Sequence, residues 1–331
     1  MSEVALHLPT KAEIDAAREN LEGIAVRTPL VPFFGHGGTN AENTHQIYLK
    51  LENIQRFGSF KLRAAANAIK SISAIQLKHG IVTASAGNFG QGLCAAADLL
   101  DVKCTVIVPD TAARTKVAAM RALGADIIEV PYAAWWRVLE TREPGIDGQF
   151  IHPVCEQAVI AGNATIGGEI LEDLPDVDII AVPVGGGGLA CGIGAAMRAA
   201  GSKVQLIAAE SETSMPVAAA LKHGKPIEVD HTISFIDGMG GKIVLEAMWP
   251  LLESALSGAV SSTRTQIAEA IRQMATHHRV IAEGAGAAPL AAALNLTPNP
   301  ENQARKIVCV ISGGNIDTAV LKTILDGHTP A

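Results

Sequence analysis

Four short segments of this 331-residue chain place chemically versatile residues beside glycines. Gly185-Gly186-Gly187-Gly188-Leu189 follows the apolar run Ile179–Val184. Consecutive glycines ahead of a helix let backbone N–H groups converge on one point, which suits a phosphate dianion. The spacing is neither G-x-x-x-x-G-K-[ST] nor G-x-G-x-x-G, which argues against a Walker A loop and a dinucleotide fingerprint. A tight turn with close helix–sheet packing is the plainer use of the same glycines. Ser85-Ala86-Gly87-Asn88-Phe89-Gly90-Gln91 follows Ile81–Ala84. Backbone donors at that helix start suit a carboxylate, and Asn88 adds a neutral hydrogen bond beside it. Capping by Ser85 or Asn88 would use the same residues structurally. Ser312-Gly313-Gly314-Asn315 follows Lys306–Ile311 and either aims one hydroxyl past a strand end or caps a helix. In Gly58-Ser59-Phe60-Lys61-Leu62-Arg63, Ser59 is a candidate N-cap that puts Lys61 in the first helical turn. The helix dipole disfavours a cation there and lowers its pKa. Most lysines are solvated surface charges. A neutral amine in a pocket, however, is what Schiff-base chemistry requires.

Positioning these segments needs strands that end side by side. Strands are expected at Ile47–Leu51, Ile81–Ala84, Cys104–Val108, Asp126–Val130, Ile179–Val184, Val204–Ala209 and Lys306–Ile311. Helical periodicity covers Arg63–Lys78, Gly90–Leu100, Ala112–Leu123, Ala158–Leu174, Gly188–Ala200, Thr263–His278 and Asn315–Leu325. Alternation of helices with strands apolar on both faces is the pattern of parallel sheets covered by helices, an α/β class. Gly124 and Gly201 fall where helix-terminating glycines belong. The turn cluster Thr141–Gln149 is the expected seam between two lobes, and Asp230–Gly241 a loop over a site. Ligands in such architecture sit beyond the carboxyl ends of the strands.

Composition narrows the function classes. Lys+Arg is 26 and Asp+Glu 33, a net charge of −7. With no basic run, neither a nucleic-acid surface nor a basic membrane helix is indicated. The uncharged stretch Ile179–Met197 contains Pro183 and six glycines, which excludes a membrane span. Met1–Thr10 lacks the pattern of a secretory signal. The five cysteines, Cys94, Cys104, Cys155, Cys191 and Cys309, are scattered and without C-x-x-C, as in a reducing cytoplasm. Adjacent His277 and His278 point about 100° apart on a helix and cannot share a metal; no metal is expected.

A phosphate cradle, a carboxylate cradle, a lone hydroxyl and an activated lysine together meet the needs of pyridoxal 5′-phosphate (PLP). On these segments, with Glu283-Gly284-Ala285-Gly286-Ala287 and Ser312-Gly313-Gly314-Asn315-Ile316-Asp317, the chain resembles the fold-type II PLP-dependent serine/threonine dehydratase family, whose relatives include threonine ammonia-lyase and serine racemase. The motifs occur in family order from about Arg27 to Leu321. The resemblance implies a tryptophan-synthase-β-like fold, with 1–66 and 151–331 forming a large PLP-binding domain and 67–150 a small one. It implies that Lys61 forms the imine and then removes the Cα proton. Phe60 packs on the cofactor, Asn88 bonds its 3′-oxygen, and Gly185, Gly186, Gly187, Gly188 and Leu189 hold its phosphate. Ser312 faces the pyridine nitrogen, and Ser85, Ala86, Gly87 and Asn88 bind the substrate carboxylate. Glu283 either tunes the cofactor ring or caps the Ala285–Leu294 helix. The expected activity is α,β-elimination of water from a β-hydroxy amino acid of the L-threonine/L-serine type, giving a 2-oxo acid and ammonia in a cytoplasmic homodimer. A hydroxyl at Ser312 keeps the pyridine nitrogen less firmly protonated than a carboxylate would, which favours elimination over transamination.

Some positions depart from the family pattern. Ala86 stands where the racemases carry serine, which argues for a lyase. Glu210 matches one acid of the family's cation site, but Pro216 occupies the place of another. Phe57 replaces a small polar residue, Phe89 a histidine, Ala64 a glycine, Val154 a polar residue and Asn163-Ala164 a Gln-Gly pair. Packing drift accounts for these; so does a pocket reshaped for phenylserine or hydroxyaspartate. Trp135-Trp136 reads as a helix packing face. With little chain after Leu325, regulation by isoleucine is not expected.

Overall fold

The computed structural model describes residues 5–35, 45–296 and 304–331, so residues 1–4 of the expected leaderless start lie outside it. Among the described residues ten strands form two sheets. They are β1 (Leu30–Pro32), β2 (Gln46–Lys50), β3 (Ile81–Ala84), β4 (Cys104–Pro109), β5 (Asp126–Val130), β6 (Gln149–Phe150), β7 (Ile179–Pro183), β8 (Gln205–Ser211), β9 (Gly258–Ser262) and β10 (Lys306–Val310). The larger sheet has the order β1-β2-β10-β7-β8-β9 and the smaller β5-β4-β3-β6. Every neighbouring pair is parallel except β1 with β2. Every residue of β3 and β7 is buried, as parallel strands covered on both faces require. The two-lobed parallel α/β class therefore matches the sequence expectation.

Several boundaries differ. The expected Arg63–Lys78 helix is two helices, Lys61–Lys70 and Ala74–Leu77, because Ser73 and Gln76 form a capping box that starts the second. The expected Thr263–His278 helix is regular over Arg264–Gln273, passes into a π-turn at Met274–His278 and ends at Arg279 with φ 60°. The last helix starts at Thr318, where Asp317 accepts a bond from the Ala319 N–H. Gly124 and Gly201 do follow helix ends, at φ 78° and 62°. Trp135 packs beside the buried Val82, Ala84 and Ile107, whereas Trp136 is exposed and donates to Glu140.

A buried ion cluster anchors the Lys61–Lys70 helix. Arg63 donates to Glu52 Oε1 at 2.8 Å and to Glu169 Oε1 at 2.6 Å. Lys50 donates to Glu169 Oε2 at 2.6 Å, and Thr28 to Glu52. Two cations thus balance two carboxylates, with Arg63 only 2% exposed. Removing one member leaves an uncompensated buried charge. Arg63→Ala is expected to cost about 3–5 kcal/mol in urea unfolding; a loss below about 1 kcal/mol would show that the cluster does not hold the helix.

Candidate active site

The carboxyl ends of β3, β7 and β10 converge on a cavity of about 210 Å³ lined by Lys61, Asn88, Asn163, Gly185–Leu189, Glu283 and Ser312, among others. Gly187, at φ 94°, is the N-cap of the Gly188–Ala199 helix, a conformation glycine adopts without strain. A Cβ on Gly186 would stand 2.4 Å from Val154 Cγ2. Only bare backbone fits between that side chain and the cavity. The glycines therefore present their N–H groups with no side chain of their own over them.

Lys61 is the first residue of its helix. Its N-cap is Phe60, not Ser59, and no side chain caps the helix. Ser59 instead lies extended in an antiparallel bridge with Gly313, while the Phe60 N–H donates to Ser312 O at 3.0 Å. These bonds place Lys61 against the loop that follows β10. Its Nζ lies 4.7 Å from the Phe60 ring centroid and 5.9 Å from that of Phe89. Burial lowers the Lys61 pKa from 10.5 to about 8, opposed by the charge of Glu283. Desolvation is thus the largest cause, where the sequence had pointed to the helix dipole.

Asn88 and Glu283 belong to one polar chain. Asn315 Nδ2 donates to Asn88 Oδ1 at 2.9 Å, and Asn88 Nδ2 donates to Glu283 Oε1 at 2.7 Å. Glu283 is the N-cap of the Gly284–Asn295 helix, yet its side chain makes no capping bond. The carboxyl turns into the cavity, so the proximity reading of this residue fits better than the capping one. Burial and the neighbouring Asp237 raise its pKa from 4.5 to about 7. A Cβ on Gly313 would sit 2.4 Å from Glu283 Oε1, so a larger residue there would displace that carboxyl.

Ser85 behaves differently from Asn88. Its Oγ accepts from Gly87 N and Gly90 N, at 3.4 and 3.2 Å, which supports the start of the Asn88–Leu99 helix. Ser85, Gly87 and Asn88 line the cavity, whereas Ala86 packs in part against the small-lobe core. The Asp230–Gly241 segment does cover the site, through Asp237 and Gly238, and Gly240 N donates to Val184 O. Sequence reasoning missed the ion pair at the entrance, Lys116 Nζ to Asp237 Oδ2 at 2.7 Å. It spans 121 positions, and no local motif signals it. Beyond it an outer cavity of about 510 Å³ is lined by Lys116 and by three acids, Asp237, Glu283 and Asp317. Glu210 points elsewhere: both its oxygens accept N–H groups of the Pro216–His223 helix, from Val217 and Ala218.

A bare-backbone helix start, an amine held below its ordinary pKa and a buried neutral hydroxyl fit PLP. Residues 21–313 match the family described as pyridoxal-phosphate dependent enzyme, and the chain belongs to that family. Within it, the chain is a member of the fold-type II serine/threonine dehydratase group and uses PLP. It is 36% identical over 324 residues to an L-threonine ammonia-lyase of Thermotoga maritima, covering 96% of this chain and 78% of that one. Identity to an L-threonine ammonia-lyase of Geobacter sulfurreducens is 38% over 286 residues, 85% of this chain and 70% of the other. Among solved structures, maize serine racemase superposes with a TM-score of 0.87 at 27% identity, covering 97% and 98% of the two chains. The processed form of threonine deaminase isoform 2 from Solanum lycopersicum gives 0.82 at 27%, covering 98% of each.

Proposed function

We propose that the protein is an ammonia-lyase that removes water from L-threonine or L-serine and releases a 2-oxo acid and ammonia. The observation that carries this reading is Lys61 Nζ, an amine with lowered pKa between two phenyl rings and beside the glycine loop. Bound PLP supplies an electron sink conjugated to the substrate Cα. In this proposal Lys61 Nζ anchors the cofactor aldehyde and afterwards takes up the Cα proton. The N–H groups at Gly185–Leu189 would hold the phosphate, Phe60 would pack on the ring, and Asn88 Nδ2 would offer a donor to its 3′-oxygen. Donors at Ser85–Asn88 orient the substrate carboxylate. Ser312 Oγ would meet the ring nitrogen with a neutral hydroxyl, which would leave β-elimination the easier outcome for negative charge at Cα. Glu283 holds Asn88 in place from the other side.

The named relatives from T. maritima and G. sulfurreducens support the lyase reading. Ala86 has no hydroxyl with which to reprotonate Cα, which weighs against a racemase. The acidic entrance weighs against hydroxyaspartate, whose extra carboxylate would meet three acids and a lysine already paired. A homo-oligomer in a reducing cytoplasm completes the proposal. It is supported by Cys94, Cys104, Cys191 and Cys309, which are buried and outside any disulfide, and by exposed Ile54 and Ile281, neighbours through the Asn53–Ile281 hydrogen bond, which offer apolar surface to a second copy.

The decisive measurement is a 2-oxo-acid assay of the PLP-loaded protein on threonine, serine, phenylserine and hydroxyaspartate. Threonine and serine are expected to yield product. Loss of optical purity without a 2-oxo acid would establish a racemase instead. A new product only when sulfide is supplied would establish a β-replacement enzyme.

A further inference from the structure

Beside the glycine loop lies a carboxamide that no interaction among the described residues explains. Asn163 sits on the Gln157–Asp173 helix and is only 1% exposed. Its Oδ1 is buried without a hydrogen-bond partner, and among the described residues its Nδ2 makes no side-chain hydrogen bond either. A buried unpaired Oδ1 is costly and calls for an explanation, and Nδ2, which is not among the buried unpartnered atoms, is the end of the amide open to the cavity. Four buried side-chain atoms lack partners among the described residues: His45 Nε2, Asn53 Oδ1, Trp135 Nε1 and Asn163 Oδ1. Of these residues only Asn163 lines the cavity.

Its orientation is constrained. A Cβ on Gly192 would stand 2.8 Å from Asn163 Cβ, so the two helices pack without a gap at this point. The end of the side chain reaches the glycine loop, with Nδ2 3.4 Å from where a Gly188 Cβ would be. Val154 covers Gly186 with apolar carbon. Among the residues lining the loop, Asn163 is thus placed to add a side-chain donor to the backbone N–H groups. A phosphate dianion accepts and does not donate, so its partner would be Nδ2, the amide atom beside the loop, while Oδ1 would stay unpaired.

We propose that Asn163 is a cofactor-binding residue, its Nδ2 donating to the phosphate of PLP held at Gly185–Leu189. The proposal rests on the reading of that loop as the phosphate site. A single neutral donor there would sharpen selection for the phosphorylated cofactor without adding a charge.

The test compares PLP with pyridoxal, which has the same ring and aldehyde but no phosphate. Full-length protein resolved of its cofactor is titrated with each, by absorbance, and its melting temperature is recorded. Wild type is expected to bind PLP far more tightly than pyridoxal. Asn163→Leu keeps the shape but removes the donor. It is expected to weaken PLP by roughly ten- to a hundredfold, the ratio for losing a hydrogen bond to a charged group, and to leave pyridoxal affinity unchanged. Equal weakening of both ligands, or no change in either, would overturn the proposal and mark Asn163 as structural. If Asn163→Leu does not fold, Asn163→Asp carries the test, with a selective loss of PLP affinity expected and an equal loss for both ligands overturning it. A wild type that binds both ligands equally would overturn the phosphate site itself, and this proposal with it.

Discussion

Lys61→Ala is expected to lower turnover by about 10⁴-fold or more, since the proposed covalent anchor and proton acceptor would be lost together. Folding should survive. Among the described residues the Lys61 ammonium makes no hydrogen bond or ion pair, and its contacts are with the Phe60 and Phe89 rings. The variant removes a cation whose burial the fold disfavours, as the lowered pKa shows. It should therefore melt no lower than wild type when both are free of cofactor. Borohydride reduction followed by peptide mapping should place the pyridoxyl group of the wild type on Lys61. An adduct on another lysine would defeat the assignment. The pH dependence follows from the same group. Only the neutral amine attacks an aldehyde, so the rate of PLP uptake should rise about tenfold per pH unit up to about pH 8 and level off above it.

Glu283→Gln should stabilise the cofactor-free protein, and only at the higher pH values. A carboxyl whose folded pKa is raised from 4.5 to about 7 binds its proton more tightly when folded than unfolded. Below pH 4.5 both states are protonated, and the substitution gains nothing. As pH rises from 4.5 to 7, the unfolded state releases its proton first, so the folded state loses stability across that window. Above pH 7 the penalty is complete, on the order of 3 kcal/mol at 1.36 kcal/mol per pH unit. Glutamine keeps an oxygen for Asn88 Nδ2 and never ionises. Urea unfolding at pH 4 and at pH 8 should show the gain only at pH 8. Equal gains at both would mean that the carboxyl charge is not the source of the cost. The substitution should also shift the midpoint of PLP uptake below pH 8, because Glu283 is the charge that holds the Lys61 pKa up.

The strand-end segments were readable because each is a local pattern: glycines, a hydroxyl or a lysine directly after an apolar run. Glu283 was readable only as two alternatives, since its N-cap position is local but the direction of its side chain is not. Strands β1, β6 and β9 escaped notice. The first two have three and two residues, too few to show a period, and β9 reads Gly-Ala-Val-Ser-Ser, with little apolar content. The Lys11–Leu21 helix escaped too, although Thr10 and Glu13 form its capping box; its buried stripe is only Ile14, Ala17 and Leu21. Contacts distant along the chain left no trace in the sequence. Arg63 with Glu169, Lys116 with Asp237 and Asn163 with the glycine loop are all tertiary juxtapositions.

The order of strands in the larger sheet has a consequence for biosynthesis. Strand β10, the last of the ten to leave the ribosome, lies between β2 and β7 and pairs with both. Until it arrives, each of those earlier strands carries an open edge in what will be the middle of the sheet, and such edges invite pairing with other nascent chains. Translation halted shortly before Lys306 should therefore leave an insoluble product that chaperones retain. Ser312 is the last of the cavity-lining residues to be synthesised, so the cavity has its full lining only once β10 has been made.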